Sequence, residues 1–145
     1  MQTMVITPEQ KEKLREIGNK HNLKFIILHG SYTKGNSRLG SDLDIAILGN
    51  IRVSFDELLQ IHGELADIFG DNQERELDLK TLHNVDSLFR YQVVRDGTLL
   101  YGNPTEYQEF KAYAFRDYMD SKDLRELEAA LLKKSVKDIS EKYAG

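Results

Sequence analysis

The sequence of 145 residues contains no cysteine, no apolar run long enough to span a membrane and no excess of basic residues. The absence of cysteine excludes disulfides and thiolate metal sites and fits a reducing compartment. A membrane-spanning helix needs about 20 mostly apolar residues, and the N-terminus lacks the basic and apolar regions of a secretory signal. We therefore expect a cytoplasmic protein that does not associate with membranes.

The formal net charge is −4, whereas proteins that grip nucleic-acid duplexes are usually basic. The charge therefore argues against direct nucleic-acid binding, although a single nucleotide needs only a local positive spot. The length suits one hydrophobic core. We expect one domain over residues 1–145, with an α/β core at 1–103 and a helical tail at 104–145.

Several common catalytic motifs are also missing. The sequence has no Gly-x-x-x-x-Gly-Lys-[Ser/Thr] phosphate loop, and Ser31 does not lie in a Gly-x-Ser-x-Gly nucleophile motif. The four histidines show no metal-ligand spacing. His29 is left with two interpretations, as a side chain that lines a site or as a packed or capping histidine.

Helical and extended segments alternate along the chain. Thr7 and Ser54 are predicted N-caps, each followed three residues later by Gln or Glu, and Gly70 is a predicted helix stop. The predicted strands are "KFIILHG", "SDLDIAIL", "ERELDLKTL" and "GTLLYGNP", with a short helix over 85–95. From Pro104 onward the pattern is helical, and Ser121 is predicted to cap a second helical segment.

The stretch "HGSYTKGNSRLGSDLD" places a Gly-Ser turn ten residues ahead of an Asp-x-Asp pair. Because strand side chains alternate, Asp42 and Asp44 should share one face, with Cα atoms about 6 to 7 Å apart. Two carboxylates on one rigid surface repel each other unless a positive charge lies between them. Mg²⁺, which prefers oxygen ligands and substrate phosphates, fits this position.

The loop before the carboxylates has the residue types of a phosphate site. Gly30 lets the backbone approach a phosphate closely, and Ser31 adds a hydroxyl donor. Lys34 and Arg38 could neutralise triphosphate charge. Ser41, which directly precedes the first carboxylate, is included among the nucleotide-binding candidates.

A site with two metal ions usually has a third carboxylate. Asp78 is the best candidate because Leu77 and Leu79 flank it, so that it faces away from two core residues; Glu76 has the same parity and is the reserve. Each feature alone is more often a turn or a solvated charge. Their joint occurrence favours a nucleotide and metal site.

The motif "GSYTKGNSRLGSDLD" resembles the signature of the nucleotidyltransferase superfamily related to DNA polymerase β. The small size and helical tail resemble the minimal, MNT-type members, which are commonly antitoxins of HEPN-family RNase toxins. The resemblance implies an α/β (α+β) fold, in which a small mixed sheet is backed by helices and followed by a C-terminal helical extension.

The resemblance also implies roles for the site residues. Asp42 and Asp44 would hold Mg²⁺, with two ions in all, and Asp78 would complete the triad as general base or metal ligand. Gly30 and Ser31 would bind the β- and γ-phosphates of ATP. AMP would pass to a tyrosine hydroxyl of a HEPN toxin, with which the chain would form a hetero-oligomer.

Two other functions remain as alternatives. One is nucleotidyl transfer to a small molecule or an RNA end, for which 145 residues leave little room for extra binding structure. The other is a non-catalytic antitoxin that neutralises its partner by binding. The apolar surface of the tail, which includes Leu124, Leu127 and Leu131, either packs on the core or binds a partner.

Overall fold

The structure is a computed structural model that describes residues 6–30, 43–71 and 75–143. Four helices and four strands lie within these ranges and confirm the predicted α/β class. Their bounds, in chain order, are α1 (Pro8–Lys20), β1 (Leu23–His29), β2 (Leu43–Gly49), α2 (Phe55–Phe69), β3 (Leu77–Thr81), α3 (Ser87–Asp96), β4 (Thr98–Tyr101) and α4 (Pro104–Tyr143).

The four strands form one mixed sheet in the order β3-β2-β1-β4. Strand β1 is antiparallel to both β2 and β4, whereas β2 and β3 are parallel. The parallel pair is possible because α2 carries the chain from the end of β2 back to the start of β3. The sheet confirms the predicted mixed architecture.

Both faces of the central strands are buried, which explains their nearly continuous apolar sequences. One face packs against α1 and α2 through a cluster that includes Ile26, Ile45 and Leu65. The other face packs against α3 and α4 through a cluster that includes Ile27 and Ala46. The sheet therefore separates two helical layers.

Local capping sets the starts of the first two helices, as predicted. The hydroxyl of Thr7 accepts from the backbone N–H of Gln10 at 3.1 Å, and the Gln10 side chain accepts from the Thr7 N–H at 3.1 Å. The hydroxyl of Ser54 accepts from the N–H of Glu57 at 3.2 Å. Helix α2 ends at Gly70, where φ is +86°, a conformation that glycine adopts without strain.

A buried histidine fastens α1 to α2. His21, at the end of α1, is 6% exposed. Its Nδ1 lies 3.2 Å from Glu57 Oε2 and its Nε2 lies 2.8 Å from Glu64 Oε2. Lys20 also pairs with Glu64. Both ring nitrogens are therefore occupied by carboxylates within the fold, which gives this histidine a structural role.

Helix α4 is a single helix of 40 residues, about 60 Å long at 1.5 Å per residue. The predicted new start at Ser121 is wrong, because the segment 118–124 contains no glycine or proline to end the preceding turn. The first half of α4 packs on α3 and the sheet through Tyr107 and Ala114. The side chains from 122 to 142 are all exposed.

Within the described ranges, no helix combines the length and the apolar character that crossing a bilayer requires.

Removal of the Tyr107 hydroxyl tests how much its hydrogen bond between α4 and α3 contributes to the free energy of unfolding. Tyr107 is 5% exposed, and its hydroxyl donates to the carbonyl oxygen of Val94 at 2.8 Å. Tyr107→Phe should lower the free energy of unfolding at pH 7 by about 1 to 2 kcal/mol, because it leaves a buried carbonyl without its donor. Urea unfolding measures this change, and Tyr113→Phe, at a position that is 49% exposed, is the matched control.

The same two variants should also differ in how much stability they lose at alkaline pH. Burial raises the pKa of Tyr107 to about 12, whereas an unfolded tyrosine ionises near pH 10. The folded state therefore loses stability as the pH rises from about 10 to 12, since only the unfolded chain releases this proton. Tyr107→Phe should lose less stability over that range than wild type, and equal losses would contradict the assignment.

Candidate active site

Two of the predicted carboxylates lie side by side. Asp44 on β2 and Asp78 on β3 are register partners in the parallel pair, and neighbouring strands are about 4.8 Å apart. Both point to the sheet face that α3 and α4 partly cover, since Ala46 and Leu82, of the same parity, belong to that cluster. Both are half-buried. The predicted convergence of these two residues is therefore present.

The end of β1 approaches these carboxylates through Gly30. This residue has φ +81°, and a Cβ built on it would lie 2.3 Å from Asp44 Oδ2. Any larger residue would combine backbone strain with a clash against the carboxylate. Glycine at the start of the predicted phosphate turn is thus required by the close approach of backbone and Asp44.

Lys80 is a site residue that the sequence reasoning missed. Its Nζ lies 3.7 Å from Asp78 Oδ2 and 5.3 Å from the centre of the Phe89 ring. The signal was the spacing, because a residue two positions after Asp78 on a strand shares its face. Lys80 offsets part of the negative charge of the carboxylate pair.

His29 lies beside the carboxylates, opposite Asp44 in the antiparallel register. Its ring packs edge-on against Phe89 at 6.1 Å, and its Nε2 is buried with no hydrogen-bond partner in the described parts of the chain. Burial, reinforced by Lys80 and opposed by Asp78, lowers the pKa of His29 to about 4. The imidazole is therefore neutral at pH 7, and both interpretations of His29 stand, because it packs against Phe89 and also lines the cavity beside Gly30.

A cavity of about 220 Å³ adjoins Gly30. Helix α3 forms one wall of it, and the lining residues are His29, Gly30, Phe89, Gln92, Val93, Arg95 and Asp96. A larger groove of about 770 Å³ runs between α1 and the start of α4, but neither Asp44 nor Asp78 lines it. The carboxylates do not line the smaller cavity either, but His29 and Gly30 do, and both lie next to Asp44, so we regard the smaller cavity as the one related to the carboxylates. No sequence motif pointed to its α3 residues.

Five predicted site residues, namely Ser31, Lys34, Arg38, Ser41 and Asp42, lie outside the described residues. The structure thus brings together Gly30, Asp44 and Asp78. It also favours Asp78 over the reserve Glu76, because Asp78 is the register partner of Asp44. The roles of all these residues remain predictions.

The described residues fit a magnesium ion in part. Mg²⁺ is usually bound through one or two carboxylates, with phosphate oxygens and water completing its shell, and Asp44 and Asp78 supply oxygens of this type. Within residues 6–30, 43–71 and 75–143, no group of three or more His, Cys, Asp or Glu side chains could hold a metal ion. The pair therefore fits a cation that shares its shell with a bound nucleotide.

A mixed sheet that carries two level carboxylates beside a glycine turn is the arrangement expected of a nucleotidyltransferase. The family model described as "Polymerase beta, Nucleotidyltransferase" matches residues 12–106. This chain belongs to that family, as the sequence motif predicted.

One relative by sequence and one solved structure show which members of the family this chain is similar to. The chain is 30% identical over 117 residues to the protein adenylyltransferase MntA of Aphanizomenon flos-aquae (strain 2012/KM1/D3), covering 76% of each chain. It is similar in fold, with a TM-score of 0.68 and 23% identity, to a crystal structure of a toxin-antitoxin with AMP-PNP, covering 87% of this chain and 98% of that one.

A second solved structure contains a modified toxin. It is described as a tri-AMPylated Shewanella oneidensis HEPN toxin in complex with MNT antitoxin. The TM-score is 0.62 at 21% identity, and the match covers 87% of this chain and 95% of that one. At this identity the likeness establishes a shared fold.

Gly30→Ala tests the close approach at the site. We expect the free energy of unfolding to fall by about 1 to 3 kcal/mol, because alanine is strained at this positive φ and its Cβ would displace the Asp44 carboxylate. Urea unfolding monitored by circular dichroism measures the loss.

Gly63→Ala is the matched control. A Cβ at this position in α2 meets nothing within 4 Å, so alanine should stabilise the helix by about 0.5 to 1 kcal/mol. A Gly30→Ala protein as stable as wild type would show that the backbone does not need glycine there.

Proposed function

We propose that this chain transfers AMP from ATP to a hydroxyl group, that of a tyrosine, on a partner HEPN RNase toxin, and so acts as its antitoxin. The observation that carries the proposal is the level pair Asp44 and Asp78 beside Gly30. Membership of the nucleotidyltransferase family and the similarity to an adenylyltransferase support it. The partner and the chain would form a hetero-oligomer in the cytoplasm.

The reaction requires one bond to form and one to break. The acceptor hydroxyl oxygen attacks the α-phosphorus of ATP, the bond to the β-phosphate oxygen breaks, and pyrophosphate leaves. In our proposal Asp78 takes the hydroxyl proton, or positions the group that does, since it lies level with Asp44 at an open part of the sheet face. The product is an AMP ester of the acceptor.

Binding of the nucleotide would use the turn and the loop after β1. We assign Gly30 and Ser31 to the β- and γ-phosphates, and Lys34, Arg38 and Ser41 to further contacts with the triphosphate. Asp42 and Asp44 would hold Mg²⁺, with Asp78 as the third ligand. Mg²⁺ bound there, as two ions, would supply electrostatic stabilisation of charge on the phosphoryl oxygens and on pyrophosphate.

Neutral His29 and positive Lys80 suit this chemistry. A charged imidazole would compete with a metal ion for the carboxylates, whereas burial keeps His29 neutral by lowering its pKa to about 4. The Nζ of Lys80 lies 3.7 Å from Asp78 Oδ2. Its positive charge reduces the repulsion between the carboxylates of Asp44 and Asp78 before substrate binds. His29 therefore adds no second positive charge beside the carboxylates, where Lys80 already lies.

Replacement of the aspartates is the direct test. Asp44→Asn and Asp78→Asn should each reduce AMP transfer by about 100-fold or more, because the first removes a charged ligand of Mg²⁺ and the second removes the proposed proton acceptor or third ligand. Intact-mass spectrometry of the partner, after incubation with ATP and Mg²⁺, counts the adenylate units. Asp67→Asn, an exposed position on α2, is the matched control and should keep wild-type transfer.

Circular dichroism and urea unfolding must show that the variants remain folded. Chelation of divalent ions with EDTA should also stop transfer, and added Mg²⁺ should restore it. Normal transfer by a folded Asp44→Asn, Asp78→Asn double variant would contradict the catalytic proposal.

The alternatives give different results in the same assay. Tight binding and neutralisation of the toxin without any gain in its mass would favour a non-catalytic antitoxin. Transfer of labelled AMP to a small molecule or an RNA end, with no labelled partner, would favour the other nucleotidyltransferase function. The paired carboxylates favour the catalytic interpretations, because simple binding does not require them.

A further inference from the structure

The second half of α4 carries an apolar surface that nothing in the described chain covers. From 122 to 142 every side chain is exposed. Six large apolar residues in this segment are between 56% and 67% exposed, and we call them the α4 stripe: Leu124, Leu127, Leu131, Leu132, Val136 and Ile139. An apolar surface of this extent on a monomer usually marks an interaction site.

The stripe continues the face that α4 uses in the core. Tyr107, Phe110 and Ala114 pack on α3 and the sheet, and steps of three and four residues carry the same face onward to Leu124. Helix α3 stops covering it at its own N-terminus, where Arg125 contacts Asp86 at 3.2 Å. Beyond that contact the face is helical and mostly apolar, with Glu128 and Ser135 between the apolar residues, and no second helix of the described chain covers it.

The stripe is symmetric about its own midpoint, which lies between Leu131 and Leu132. Counting outward from this point, apolar residues fall at equal distances on the two sides, and the pairs are Leu131 with Leu132, Leu127 with Val136 and Leu124 with Ile139. When two identical helices lie antiparallel with the two-fold axis at this midpoint, each apolar residue is level with an apolar residue of the other copy. A parallel arrangement does not use this symmetry.

The charges have the same complementarity. Residues 120–128 contain four acidic and two basic side chains, whereas residues 133–142 contain four basic and two acidic side chains. In an antiparallel pair about this midpoint, Lys122, Arg125 and Glu126 of one copy are level with Glu141, Asp138 and Lys137 of the other, so that opposite charges meet at both ends. A parallel pair would place like charges together.

From this symmetry and charge distribution we infer that the α4 stripe binds a second copy of this chain, through an antiparallel pair of α4 helices. The interface is the same patch on both copies, as in a two-fold dimer. It joins the proteins beyond α3, so each copy keeps its own Asp44 and Asp78. This inference goes beyond the proposed function and does not depend on it.

The first experiment measures the mass of the full chain in solution by light scattering and sedimentation at several concentrations. Wild type should form a dimer. Leu131→Asp and Leu132→Asp should give monomers, because each places two carboxylates near the two-fold axis. Ala130→Asp, on the opposite side of the helix, is the matched control and should remain a dimer.

Charge exchange tests the orientation. Asp120→Lys with Asp123→Lys makes both parts of the segment basic, and Lys134→Glu with Lys142→Glu makes both parts acidic. Each double variant should dimerise at least tenfold more weakly than wild type. A mixture of the two should form a heterodimer, and the variant that carries all four changes should dimerise again.

Cysteine crosslinking tests the register, since the chain has no cysteine of its own. Residues 128 and 135 are equidistant from the midpoint, so Glu128→Cys with Ser135→Cys in one chain should crosslink efficiently between copies under oxidation. Each single variant should not, because identical positions are then about 10 Å apart along the axis. Efficient crosslinking of the single variants would indicate a parallel pair and overturn the inference.

Two further outcomes would overturn it. One is a wild-type chain that stays monomeric up to about 100 µM. The other is a dimer that survives both Leu131→Asp and Leu132→Asp. If the stripe instead binds a different protein, wild type remains monomeric and the aspartate variants lose that protein, which also rejects a second copy as the occupant.

Discussion

The site depends on the register between β2 and β3. That register sets Asp44 level with Asp78 on one face, and a slip of β3 by one residue would turn Asp78 into the opposite helical layer, away from Asp44. The two acidic groups repel each other, so they do not hold the strands in place themselves. Burial of Leu77 with Leu43 and Ile45 in the core of the other face does so, because a slip of β3 would turn Leu77 out of that core. The core under the sheet therefore maintains an unfavourable charge arrangement above it.

The two helical layers have different roles, one in stability and the other in access to the carboxylates. Helices α1 and α2 cover one face of the sheet and are fastened to each other by His21 between two glutamates. Helix α3 covers the other face only in part, and its end leaves a cavity of about 220 Å³ beside Gly30. The face that is fully covered gives stability, and the face that is partly covered gives access to the carboxylates.

Local signals explain what could be predicted from the sequence. The caps at Thr7 and Ser54 act within one turn, and the alternation around Asp78 sets its face, so neither depends on distant residues. Lys80 could have been found by the same parity argument. The α3 residues of the cavity could not, because they reach the site only through the packing of α3 on the sheet. The continuity of α4 was missed because Ser121 is a good cap residue that a helix interior also tolerates.

The length of α4 affects how the sequence of this protein can evolve. Its first half shares a core with α3, so substitutions there alter the stability of the whole molecule. Its second half contacts little else in the described chain, so a new side chain there leaves the catalytic sheet undisturbed. Selection can therefore act on what the protein associates with separately from what it catalyses, and association should diverge faster among descendants than chemistry does.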